Sequence, residues 1–208
     1  MKSYLMFTVM LCLVAISCKP GDTDDSVLSD QQSLRVEKFL DMEWRSSQET
    51  VKESMIQRKD VAFSPDLSSN SRLFFKGGEF EDNQVLYWMF DFSDSGLYYI
   101  GVVFKSENDS ELKIKKRYQT IKNNLKGKYG EPVKDLYYFD PPYETDGARQ
   151  LFSAIKSGKA HIETWWEIQE IKIHLILAGP HKFSPSIMLR YENLTLSKNL
   201  DMEKLLEF

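Results

Sequence analysis

The sequence predicts an α+β fold: an antiparallel sheet with helices packed on one face, built from a duplicated helix-plus-three-strand unit. Three observations predict it. Apolar runs rich in aromatic and β-branched residues are separated by short polar turns, as in Gln84–Phe92 and Leu97–Phe104 around "SDSG". Other segments carry apolar residues at helical spacing instead, as Ile114, Tyr118, Ile121 and Leu125 do. Helix, strand, strand, strand near 48–104 is followed near 110–192 by the similar order helix, strand, an inserted short helix and three strands.

The chain begins with an export pattern. Lys2 gives a positive start, Tyr4 to Ile16 is apolar apart from Thr8, and the small residues Ala15 and Ser17 precede Cys18. The run is shorter than the roughly 20 residues that a bilayer-spanning helix takes. The quartet "AISC" resembles a bacterial lipobox, whose cysteine thiol receives a diacylglyceryl group before cleavage; Ala15 stands where the commonest form has Leu. The resemblance implies lipid attachment at Cys18 and an anchor in a lipid bilayer through N-terminal acyl chains. Two other readings of Cys18 stay open at this point: ordinary cleavage that leaves a soluble protein with a free thiol, and a core cysteine. Cys12 lies inside the signal, so the mature chain keeps one cysteine and no internal disulfide.

Lys19 to Ser33, "KPGDTDDSVLSDQQS", has no helical or strand period and reads as a flexible tether. As a random coil its fifteen residues reach roughly 20–25 Å, enough to lift a folded domain off lipid headgroups. Asp22, Asp24 and Asp25 after the cysteine resemble surface-export signals of some bacteria, and Lys19 does not resemble an inner-membrane retention signal. The expected organisation is therefore a signal over 1–17, a lipidated cysteine and tether over 18–33, and one α+β domain over 34–208 with halves at 44–105 and 109–192. The expected location is the bacterial cell envelope, at the outer membrane rather than the inner.

The mature chain has 26 Lys+Arg against 31 Asp+Glu, a net charge of −5, which argues against a large basic nucleic-acid surface. Its 13% aromatic content suits a packed core rather than disorder.

Within the domain, Leu34 to Trp44 reads as a short helix or turn. Ser46 with Glu49 forms a capping-box pattern ahead of a helix from Gln48 to Arg58, with Val51 and Met55 on one face. Strands follow at Arg72–Phe75, Gln84–Phe92 and Leu97–Phe104. Counting outward from the "SDSG" loop pairs Phe92 with Leu97, Phe90 with Tyr99 and Trp88 with Gly101. Both faces of this hairpin are apolar, so it belongs in the middle of a sheet or under cover on both sides. The Ile114–Leu125 stripe marks a long helix that Gly127, Gly130 and Pro132 stop, and its lysines form a solvated face. A strand at Val133–Phe139 precedes a break at "DPPYETDG" and a helix from Ala148 to Ser157. In the strands "AHIETWWEI" and "IKIHLILA", a turn at Gln169–Glu170 pairs Glu167 with Lys172, Trp166 with Ile173 and Trp165 with His174. Ile162, Thr164, Trp166, Ile168, Ile171, Ile173, Leu175 and Leu177 then share a core face. The strand "SIMLRYE" and an amphipathic helix over 196–208 close the chain.

Two stretches carry a resemblance. "SSQETVKESM" looks like the opening helix, and "IKNNLKGKYGEP" like the helix end, of small bacterial envelope domains of the BamE/SmpA and β-lactamase-inhibitor-protein type. Such domains are often lipoproteins, and the inhibitor protein carries two such units. Val51 with its cap, and Leu125, Gly130 and Pro132, are the residues that match; they imply a fold rather than a task.

The chain shows no HExxH motif, no Cys/His ligand set, no GxSxG elbow and no phosphate-binding glycine loop. No catalytic residue, metal ligand or cofactor is expected. His161, Glu163, Trp165, Glu167, Lys172, His174 and Arg190 share one strand face, which reads either as a polar partner surface with a tryptophan platform or as the plain solvent side of a sheet. The loop "FDPPYETDG" adds Phe139, Pro142 and Tyr143 as contact candidates, or forms an ordinary packed loop. The expected function is that of a non-enzymatic envelope lipoprotein binding a protein partner through Phe139, Pro142, Tyr143, Trp165, His174 and Arg190. The alternative is a small-ligand-binding periplasmic or surface protein, or a hydrolase without a recognised motif, with a pocket at Trp88, Trp165 or the tyrosines.

Overall fold

The computed structural model describes residues 36–106, 109–144, 150–179 and 185–197. The signal, Cys18, the tether, His181 and the closing segment 198–208 lie outside the described residues.

The first described element is a small hairpin, β1 (Lys38–Phe39) with β2 (Met42–Glu43), where a helix or turn was the expectation. Leu40 and Asp41 take positive φ at its turn, and the hairpin drives Phe39 and Met42 into the core. Helix α1 (Gln48–Ile56) is capped by Ser47, whose side chain accepts from the Thr50 N–H. Ser46 instead donates to the Glu43 carbonyl, so the expected Ser46–Glu49 box is replaced by a single cap one residue on. Nine residues make a marginal helix on their own. Val51 and Met55 are fully buried, and at about 1.5–3 kcal/mol for each such side chain their burial holds α1 in place.

The remaining strands form one antiparallel sheet. In chain order they are β3 (Val61–Phe63), β4 (Arg72–Gly77), β5 (Glu79–Phe80), β6 (Asn83–Ser93), β7 (Gly96–Phe104), then helix α2 (Glu111–Tyr129), β8 (Lys134–Phe139), helix α3 (Leu151–Lys156), β9 (Ala160–Ile168), β10 (Ile171–Ala178), β11 (Ser186–Asn193) and the short helix α4 (Leu194–Ser197). Across the sheet the order is β3-β4-β6-β7-β11-β10-β9-β8, with β5 paired to β6. Each half is thus a helix followed by a four-strand meander, and the last strands of the two meanders, β7 and β11, meet antiparallel at the centre. The sequence reading finds three strands in the first unit because β3 is too short to show a period and runs into Pro65.

The β9–β10 hairpin has the expected register: Glu167 opposite Lys172, Trp166 opposite Ile173, Trp165 opposite His174. Gln169 enters its two-residue turn at φ +53. The β6–β7 hairpin departs from expectation. Phe92 does face Leu97, but Asp91 then faces Tyr99, so Tyr98 is an extra residue on β7. The slip moves Phe90 opposite Ile100, Trp88 opposite Val102 and Met89 opposite Gly101. The thioether of Met89, rather than an indole, covers the bare glycine: its Cε would lie 3.1 Å from a Cβ built there. A compensating extra residue, Leu86 on β6, restores the register at Val85–Phe104.

Helices α1, α2 and α3 cover one face of the sheet in a single core cluster. α2 lays Ile114, Tyr118, Ile121, Leu125 and Tyr129 on it. The helix passes through Gly127, expected as a stop, and ends at Gly130, whose φ of +82 and ψ of −165 suit glycine alone. A polar chain runs under α2: Tyr118 Oη meets Thr164 Oγ1 at 2.8 Å, Thr164 donates to Asp135 Oδ1 at 2.7 Å, and Lys122 binds the other carboxylate oxygen. Thr164 gives its one proton to Asp135, so Tyr118 is the donor in the first link. Burial opposes the charge on Asp135, but the Lys122 and Thr164 bonds outweigh it and hold the carboxyl below its ordinary value. The two core tryptophans donate to carbonyls, Trp88 to Gly77 at 2.8 Å and Trp166 to Gly130 at 2.9 Å. Trp88 is 1% exposed and packed into the core cluster.

Candidate functional site

The face opposite α1, α2 and α3 is built by strand parity. Residues that pair across neighbouring strands point to the same side, so the registers sort this face into rows running across the sheet. The central row is Phe74, Met89, Gly101, Arg190, His174, Trp165 and Lys134, one residue from each strand from β4 to β8. At about 4.8 Å per strand it spans roughly 29 Å. Arg190, His174 and Trp165, from three neighbouring strands, are consecutive in it.

The row on one side is Lys76, Tyr87, Val103, Met188, Ile176, Glu163 and Leu136, and is mostly apolar. The row on the other side is Arg72, Asp91, Tyr99, Glu192, Lys172 and Glu167, and is mostly charged. The face therefore grades from a mostly charged row, through a mixed central row, to a mostly apolar one. Leu196 of α4 packs with Tyr98, Tyr99 and Met89 beside β7.

Trp165 is the best-dressed side chain on the face. Lys172 Nζ lies 4.1 Å and Lys134 Nζ 5.0 Å from its ring, and the His174 ring stands 5.3 Å away, tilted. Trp165 Nε1 and His174 Nε2 are buried and make no hydrogen bond among the described residues. Glu163 reaches both histidines, His161 Nε2 at 3.3 Å and His174 Nε2 at 3.4 Å. Burial, then the charges of Arg190, Lys172 and His161, push His174 down to about 4, so its imidazole is neutral at pH 7. At the rim Arg72 grips Asp91 with Nε at 2.5 Å and Nη2 at 2.7 Å, the carboxylate side chain being 3% exposed. Burial pushes the Asp91 carboxyl up even against Arg72.

Phe139, Pro142 and Tyr143 are not part of this face. Phe139 shares the helix-covered side of β8 with Asp135 and Tyr137, and Phe139 and Tyr143 both pack against the core. Pro142 is exposed, after a cis Pro141–Pro142 bond. Thr145 to Gly147 of the same loop lie outside the described residues. Phe139, Tyr137, Tyr118, Leu151 and Phe152 line an apolar groove of about 390 Å³ between α2, α3 and β8. Among the described residues no set of three His, Cys, Asp or Glu side chains is placed to hold a metal ion, and no helix is long and apolar enough to cross a membrane.

No protein-family model matches the chain, and no curated protein matches it. Among solved structures, the chain is similar to a DUF4309 family protein (YjgB) from Bacillus subtilis subsp. subtilis str. 168, at 11% identity over 71% of this chain and 78% of that one, with a TM-score of 0.36.

Proposed function

We propose that this chain is a bacterial cell-envelope lipoprotein, held on the outer membrane by acyl chains on Cys18, that binds a protein partner through the open face of its sheet and catalyses no reaction. The observation that carries the binding role is the pair of adjacent rows holding Phe74, Met89, Trp165, Tyr87, Val103, Met188, Ile176 and Leu136. A face meant only for water alternates core residues with small polar and charged ones. Here the water-side positions carry Trp, Tyr, Met and Arg, the residues enriched at protein interfaces, with charge densest along one rim. Two helix-and-meander units in one chain accord with the two units that the resemblance to the β-lactamase-inhibitor-protein type implies. "AISC" and the tether support the anchored location, and the tether supplies the reach a membrane-bound binding module needs.

The test is recovery of a partner from crosslinked, detergent-solubilised envelope. The native chain is expected to recover a specific protein that Trp165→Ala and Arg190→Glu variants lose; recovery unaffected by either variant overturns the open-face reading. Mass spectrometry of the mature N-terminus tests the anchor, which an unmodified Cys18 overturns. The groove between α2, α3 and β8 favours the second reading, a small-ligand carrier. Phe152→Trp, which fills the groove, is expected to abolish uptake of an apolar fluorescent probe if that reading holds and to leave partner recovery intact if it does not.

A further inference from the structure

The sheet has two edges, and they are guarded differently. At one edge β3 has three residues, too few to invite pairing. At the other, β8 pairs with β9 over six residues without a register shift, and no described residue pairs with its outer side. The devices that blunt an edge are absent or turned inward. β8 contains no proline and no bulge within its paired length. Its two charges are engaged within the molecule, Lys134 over the Trp165 ring and Asp135 with Lys122 and Thr164. Exposed apolar surface also concentrates here. Val133, Tyr137 and Tyr138 are 57%, 56% and 43% exposed, while the other large exposed apolar side chains, Ile56, Leu67 and Leu112, are scattered.

The ladder fixes which backbone groups this edge offers. Asp140 donates to the Lys159 carbonyl at 2.7 Å, so the even-numbered residues of β8 bond to β9. By alternation the N–H and C=O groups of Asp135, Tyr137 and Phe139 point outward. The Val133 N–H is already spent on the Trp165 carbonyl. An added antiparallel strand that satisfies all three outward residues, and is itself β8, has one register: a two-fold axis through Tyr137, with Asp135 opposite Phe139 of the second copy. That register has consequences on the open face, where parity sets Leu136 opposite Tyr138 and Lys134 opposite Asp140, each twice. Apolar meets apolar, and cation meets anion.

We infer that β8 is a self-association edge, where a second copy of this chain adds antiparallel about Tyr137 and continues the sheet from one molecule into the next. The contact is one strand deep and belongs at the weak end of stable interfaces, with a dissociation constant of about 1–100 µM. It does not depend on the open-face reading.

Sedimentation of the full chain in detergent, with Cys12 and Cys18 replaced by serine, tests it. A dimer is expected at concentrations of about 100 µM. Lys134→Asp is expected to leave monomer, and Lys134→Asp with Asp140→Lys to restore the dimer, since the swapped pair is complementary again. In the same cysteine-free background, Tyr137→Cys is expected to form a disulfide with its own copy, the paired Cα atoms lying about 5.5 Å apart. Leu136→Cys alone should not crosslink, whereas Leu136→Cys mixed with Tyr138→Cys should. Glu53→Cys, exposed on α1, reports collisional crosslinking. A native chain that stays monomeric, a Tyr137→Cys rate no faster than that of Glu53→Cys, or a dimer indifferent to the charge swap overturns the inference; binding of an unrelated extended peptide by a monomer overturns it as well. Trp165→Ala is expected to leave the dimer intact, which separates failure here from failure of the open-face reading.

Discussion

At the scale of single residues, two glycines three positions apart have opposite meanings. Gly127 lies inside α2, and a Cβ there would meet nothing within 4 Å. Gly127→Ala is therefore expected to stabilise the protein by about 0.5–1 kcal/mol, the helix-propensity difference, read as a higher denaturation midpoint. Gly130 is equally uncrowded but sits at φ +82 with ψ −165, so Gly130→Ala is expected to cost about 1–3 kcal/mol from backbone conformation alone. Sequence shows two glycines near a helix end and cannot say which one the helix outlasts. His174 gives a second residue-scale expectation. Its folded value, about 4, is below the unfolded value of about 6.5, so the folded state refuses a proton that the unfolded state accepts. Stability from this group is complete above about pH 6.5 and is lost as pH falls towards 4, by up to about 3 kcal/mol, with the Glu163 carboxylate at 3.4 Å offsetting part of the loss. Denaturant titrations of the native chain and of His174→Gln should diverge in this window and agree above it; parallel curves would show that His174 does not carry the acid sensitivity.

At the scale of elements, the junction of β4 and β6 is held by charge as well as by packing. Arg72 and Asp91 form a bidentate pair with the carboxylate almost wholly buried. Removing one partner strands the other, so Arg72→Leu is expected to cost about 3 kcal/mol, and Arg72→Leu with Asp91→Leu to recover much of it. Equal stability of the single and double variants in urea melts would show that the pair is incidental. What was legible at this scale followed from locality. The β9–β10 register could be counted because its turn is two residues long and its apolar alternation is uninterrupted. The β6–β7 register could not, because Tyr98 bulges between residues that all look suited to a strand, and a run apolar on both sides gives no parity by which to notice the slip. Trp165, His174 and Arg190 were found as one surface because they are polar or amphipathic at alternate positions. Met89, Met188, Val103 and Phe74 escape the sequence reading because apolar residues in strands read as core until the placement of α1, α2 and α3 shows which face they cover.

At the scale of the whole molecule, the meanders share one sheet and one core cluster. The core tryptophans Trp88 and Trp166 sit in different halves, and variants that keep only one of them as a buried reporter are expected to give coincident urea transitions. Separated midpoints would show that the halves unfold independently. The seam explains the expectation: β7 and β11 pair over five residues, with Ile100 beside Tyr191 and Val102 beside Leu189 on the core side. Neither meander alone would cover those strands.

That seam joins equivalent strands antiparallel, which is the contact two separate half-length chains would make as a symmetric pair. Joining such halves in one polypeptide replaces a bimolecular encounter with a tethered one, at an effective concentration of order millimolar for a short connection. Assembly of this sheet then no longer depends on how many copies are present, and the sides of the seam are released to diverge, as the buried Arg72–Asp91 pair of one half and the tryptophan platform of the other have done.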